Sequence, residues 1–82
     1  MLETLNNRVN ELRTKANLTQ EDLGKAVGVT RQTIIAIEKG NYTPSVTLAL
    51  KIAQFFSAQG GSASGGKKSL SVDDIFIIHY EK

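Results

Sequence analysis

The sequence predicts an all-α domain of five short helices that ends in a short extended tail. Two observations carry that expectation. Residues Gln20 to Lys39 (QEDLGKAVGVTRQTIIAIEK) fall into two segments of helical periodicity, each preceded by a threonine and divided by a glycine. Apolar residues also recur at helical spacing from Glu3 to Lys15 and from Val46 to Phe56. A chain of 82 residues supports one modest core, so residues 1–82 are read as a single domain.

In the first helix, Leu5, Val9, Leu12 and Ala16 form the apolar stripe. Leu18 precedes Thr19 as a hydrophobic staple. Thr19 is a good N-cap for the second helix, with Asp22 placed to return the capping bond. Leu23, Ala26 and Val27 line the inner face of that helix. Gly24 costs about 1 kcal/mol there relative to alanine, which implies a close approach with no room for a side chain. Gly28 ends the second helix. Thr30 caps the third, where Ile34 and Ile37 face inward while Thr30, Arg31, Gln32 and Thr33 stay polar. Residues 20–39 are therefore a helix-turn-helix whose second helix carries hydrogen-bonding side chains at its exposed start.

Gly40 ends the third helix, and Pro44 keeps residues 41–45 out of regular helix. Ser45 caps a fourth helix with Val46, Leu48, Ala49, Ile52, Ala53 and Phe56 on its apolar face. The composition then changes: SAQGGSASGGKKS holds four glycines, four serines and no large apolar residue. Residues 57–69 read as a flexible Gly/Ser loop, natural or designed, whose length costs little because closure entropy grows logarithmically. In the C-terminal segment, residues 71–82, Ser71 and Asp74 cap a short fifth helix that returns Ile75 and Phe76 to the core. Ile77 to Tyr80 is β-prone and too apolar for a free tail, so it packs on its own domain or pairs with a second copy.

Composition excludes several classes. The chain has no cysteine, which removes disulfides and thiolate metal sites, and no apolar run approaches the ~20 residues that cross a bilayer. The start, MLETLNNR, lacks a signal-peptide apolar region, so a cytoplasmic location is expected. A single histidine, His79, leaves no triad or His cluster, and the glycines of 60–66 lack a nucleotide-loop context. The chain is read as a non-enzyme needing no cofactor and no metal, with no small-molecule substrate. Its net charge of +2 is mild, but residues 1–56 hold seven Lys/Arg against five Asp/Glu, while 57–82 hold three of each. The basic excess lies with the helix-turn-helix, which favours a polyanionic partner.

At RVNELR, LTQEDLGKAVGVTRQTIIAIEKG, NYTPS, TLALKIAQFF and SVDDIF the sequence resembles the phage repressor and Cro family of helix-turn-helix regulators, with a lambda-repressor-like fold. The resemblance runs from Arg8 to Phe56 and resumes at Ser71 to Phe76. It departs at 57–69, where family members pass to the last helix in far fewer residues. It implies sequence-specific binding of double-stranded DNA, with the third helix in the major groove, and transcriptional regulation, usually repression. It also implies base contacts at Arg31, Gln32 and Ala36, a phosphate grip by Gln20, and a structural ion pair between Arg13 and Glu38.

Residue chemistry agrees with these roles. An arginine can fork onto guanine O6 and N7 and a glutamine onto adenine N6 and N7, each contact contributing about 1–3 kcal/mol of discrimination. Thr30 and Thr33 suit phosphate or thymine-methyl contact, and Lys39, Asn41 and Tyr42 suit the DNA backbone beyond the helix. Such regulators bind as two-fold dimers, which points to a homodimer through Ile75, Ile77, Ile78 and Tyr80, or through helix four or five. The competing class is a protein-interaction module, such as an antitoxin-like partner or a scaffold variant of such a regulator.

Overall fold

The computed structural model describes residues 2–58 and 70–81. In chain order they form strand β1 (Leu2–Asn7), helices α1 (Val9–Lys15), α2 (Gln20–Val27), α3 (Arg31–Glu38), α4 (Val46–Ala58) and α5 (Val72–Ile75), and strand β2 (Phe76–Glu81). The five expected helices are present, and the domain is mostly helical, but a two-stranded sheet is added to them.

Local chemistry accounts for most boundaries. Thr19 Oγ1 accepts from the Asp22 N–H at 3.0 Å, and the Asp22 carboxylate accepts from the Thr19 N–H at 3.0 Å, closing a capping box. Ser71 and Asp74 form a second box at α5. Thr30 Oγ1 accepts from the Thr33 N–H at 3.3 Å, and Ser45 Oγ accepts from the Leu48 N–H at 3.1 Å. α2 stops where Gly28 takes φ +81, and the next N–H, from Val29, returns to the Gly24 carbonyl at 2.8 Å.

The N-terminus corrects the sequence expectation. The helix expected from Glu3 begins only at Val9, and Leu5 belongs to β1 instead of the helical stripe. β1 pairs antiparallel with β2, with Leu5 opposite Ile78 and Asn7 opposite Phe76. The tail thus pairs within its own chain. Asn7 breaks the helical continuation because its Oδ1 accepts from the Val9 N–H at 3.1 Å, a local turn that competes with helix. The Arg8 N–H then donates to the Ile75 carbonyl at 2.9 Å, joining the start of α1 to the end of α5.

The core gathers Val9, Leu12, Leu23, Val27, Ile34, Ile37, Ile52, Phe56 and Ile75 with their neighbours, drawn from all five helices. Three residues assigned to apolar faces lie outside it: Ala16 is half-buried just past α1, Ala26 is exposed, and Val46 is 77% exposed at the start of α4. The first two residues of the loop expected over 57–69, Ser57 and Ala58, are instead the last residues of α4. Ser57 Oγ donates to the Ala53 carbonyl at 2.8 Å and accepts from the Leu70 N–H at 2.7 Å, which brings the end of α4 against the residue before α5. Residues 59–69 of that expected loop lie outside the described residues.

Gly24 is fully inside the α2–α3 junction. A Cβ there would stand 2.7 Å from the Val29 carbonyl oxygen and 3.3 Å from Thr30 backbone atoms. Backbone cannot swing aside as a flexible side chain would. Gly24→Ala is therefore expected to destabilise the fold by about 1–3 kcal/mol in urea denaturation, the usual range for overpacking. A variant as stable as wild type, or stabilised by the better helix propensity of alanine, would refute the close approach.

Candidate nucleic-acid interface

An eight-residue helix is not stable alone in water, so α3 depends on what holds it. Ile34 and Ile37 are fully buried, each burial contributing about 1.5–3 kcal/mol. The C-terminal end of α3 is fixed by polar contacts as well. Gly40 adopts φ +80, its N–H donates to the Ile37 carbonyl at 3.0 Å, and the Asn41 N–H reaches back to Ala36 at 2.9 Å. This is the paired hydrogen-bond pattern of a Schellman ending. Asn7 Nδ2 donates to the same Ile37 carbonyl at 2.8 Å, so β1 also grips this helix end.

Glu38, the last residue of α3, joins three helices. Arg13 of α1 approaches it with two nitrogens, Nε to Oε2 at 2.6 Å and Nη2 to Oε1 at 3.2 Å. Asn10 Nδ2 donates to Oε1 at 3.0 Å, and Gln20 Nε2 of α2 donates to the same oxygen at 3.2 Å. Arg13 Nη1 donates onward to the Leu18 carbonyl at 2.8 Å, fixing the α1–α2 link. The two charged side chains are only 12% and 6% exposed, so this pair lies well outside the class of solvated surface ion pairs. Burial pushes the Glu38 carboxyl upward, but the hydrogen bonds from Arg13, Asn10 and Gln20 outweigh it and hold the group below its ordinary range. The Arg13 guanidinium is raised in turn, chiefly by its hydrogen bonds with Glu38.

The opposite end of α3 is open. Arg31 and Gln32, its first two residues, are exposed, and among the described residues neither has a hydrogen-bonding partner. Thr30 is exposed at the cap, and Thr33 is half-buried with its Oγ1 3.1 Å from that of Thr30. Ala36, one turn on, is half-buried. Arg31 shares a polar cleft with Arg13, Thr19, Gln20 and Glu21. The first turn of α2 thus stands beside the first turn of α3. Lys39, Asn41 and Tyr42 follow α3 as an exposed group.

The residues assigned to dimerisation separate. Ile75 is fully buried in the domain core and has no surface to offer a partner. Ile77 and Ile78 are 43% and 52% exposed on β2. Tyr80 belongs to the same strand, opposite Glu3. Two supports escaped sequence reasoning, the Asn7 bond to α3 and the Gln20 bond to Glu38. Nothing in local spacing signals either, since each spans eighteen or more positions.

Two short helices at a glycine turn, the second buried on one side and presenting a polar first turn on the other, define a helix-turn-helix module. The chain belongs to the helix-turn-helix family, whose model matches residues 9–57. It is 58% identical over 77 residues to an uncharacterized HTH-type transcriptional regulator, YgzD, of Bacillus subtilis, covering 94% of this chain and 98% of the relative. It is 49% identical over 73 residues to an uncharacterized HTH-type transcriptional regulator of Methanocaldococcus jannaschii, covering 89% and 92%. A more distant relative is the cryptic phage CTXphi transcriptional repressor RstR of Vibrio cholerae, 33% identical over 49 residues, which are 60% of this chain and 44% of the relative.

Proposed function

We propose that this chain binds double-stranded DNA in a sequence-specific way and regulates transcription, with the first turn of α3 in the major groove. The carrying observation is the pairing of a buried inner face at Ile34 and Ile37 with an exposed Arg31 and Gln32 that have no hydrogen-bonding partner among the described residues. Side chains with no intramolecular partner lose no hydrogen bond when they turn to base edges. Arg31 and Gln32 read bases. Gln20, Thr30, Thr33, Lys39, Asn41 and Tyr42 hold the sugar-phosphate backbone on either side. Helix N-termini such as that of α2 favour phosphate through free N–H groups and the helix dipole. We assign repression as the regulatory outcome, by analogy with the phage repressor RstR. The protein then acts in the compartment that holds its DNA, the cytoplasm of a cell without a nucleus. Among the described residues, no helix is long and apolar enough to cross a membrane.

A selection from randomised duplexes tests this directly. Arg31→Ala and Gln32→Ala should each relax preference at particular base positions, by about 1–3 kcal/mol per contact. Gln20→Ala and Asn41→Ala should weaken all sequences alike, and wild-type affinity should fall steeply with salt. No enriched sequence, together with salt-insensitive binding to a protein, would favour the interaction-module alternative.

The protein acts as a homodimer, each copy reading half of a two-fold site. Support comes from β2, whose second edge has no partner among the described residues. Exposed Ile77 and Ile78 lie on that strand. Beside it runs an apolar groove lined by Leu5, Pro44, Val46, Ala49, Val72 and Ile78. Sedimentation at tens of micromolar should show a dimer that Ile78→Lys dissociates. A wild-type monomer, both free and on a full-length site, would sink this assignment.

A further inference from the structure

Gln20 does not stand free at the start of α2. Its Nε2 donates to Glu38 Oε1 at 3.2 Å across the α2–α3 junction. A carboxylate only accepts, so the amide of Gln20 must turn its NH2 toward Glu38. One of the two amide protons is thereby committed, and the other remains for an outside acceptor. Glu38 is itself fixed by the two-nitrogen contact from Arg13 and by Asn10, and its side chain is 6% exposed. We infer that Glu38 is a positioning residue for DNA binding: it never meets the duplex, but it sets the direction of the Gln20 amide toward the phosphate at the N-terminus of α2. The same carboxylate ties that phosphate grip to the far end of the recognition helix, so the two move as one body. A glutamine held in one rotamer loses less conformational freedom on binding than a solvated one. This inference rests on the assignment of Gln20 to a phosphate.

A double-mutant cycle on DNA affinity tests it, using wild type, Gln20→Ala, Glu38→Gln and the double variant, each checked for folding by circular dichroism. Gln20→Ala should weaken specific and unrelated duplexes alike by about two- to tenfold, the size of one hydrogen bond. Loss of the Glu38 charge favours a polyanion equally in both backgrounds and cancels in the cycle. The Glu38→Gln penalty should therefore be clearly larger with Gln20 than without it, what remains without it being the lost hold on α3 through Arg13 and Asn10. An equal penalty in both backgrounds would make Glu38 merely structural and overturn the inference. If Gln20→Ala changes nothing, the phosphate assignment itself fails. Should Glu38→Gln not fold, nitrogen-15 relaxation of the wild-type side-chain amides decides. Gln20 should be as ordered as the backbone and the exposed Gln32 more mobile, and equal mobility of the two would overturn the inference.

Discussion

The carboxylate of Glu38 is the contact on which the geometry of this domain depends. It closes the C-terminal end of α3 onto α1 through Arg13 and Asn10 and onto α2 through Gln20. A buried charge of this kind is tolerable only when its hydrogen-bonding capacity is filled. Here one oxygen takes three donors and the other takes the short Arg13 Nε contact. Removing any one partner leaves a desolvated group behind, which is why such clusters fix geometry more than they add net stability.

The proposed function follows from how unevenly the helix is held. The far end of α3 is gripped by the Glu38 cluster, by the Schellman turn through Gly40 and Asn41, and by Asn7 reaching from β1. Its near end is capped by Thr30 and packed against Gly24 of α2, while Arg31 and Gln32 have no hydrogen-bonding partner among the described residues. Order at one end sets the direction of the helix, and in the proposed complex freedom at the other would let side chains adjust to base edges. Asn7 adds a link of another kind. It is paired with Phe76 in the sheet and bonded to α3, so the strands that support the proposed dimer also touch the recognition helix.

Much of this was legible in the sequence because it is encoded locally. Thr19 with Asp22 and Ser71 with Asp74 form capping boxes at the expected spacing. Gly28 and Gly40 take the left-handed backbone that ends α2 and α3, and Gly24 marks a contact with no space for a Cβ. β1 was not legible. Leu5 sits at helical spacing from Val9 and Leu12, and its actual partner, Ile78, lies at the other end of the chain. Helical periodicity cannot weigh a pairing that distant. Ile75 failed as an interface residue for a related reason: an apolar residue in a β-prone tail looks the same in sequence whether it faces a core or a partner. The exposure of Arg31 and Gln32 followed from their type and position at the start of α3, whereas the Glu38 contact of Gln20 required coordinates.

The central claim is that α3 is held as a rigid body so that Arg31 and Gln32 meet base edges. It is tested most directly by intermolecular nuclear Overhauser effects in a complex with a selected duplex. The account predicts contacts from the Arg31 and Gln32 side chains to major-groove base protons, with the Ile34 and Ile37 methyl groups keeping their contacts inside the protein. Contacts to DNA arising from α4 or the sheet, with Arg31 and Gln32 unperturbed, would contradict it.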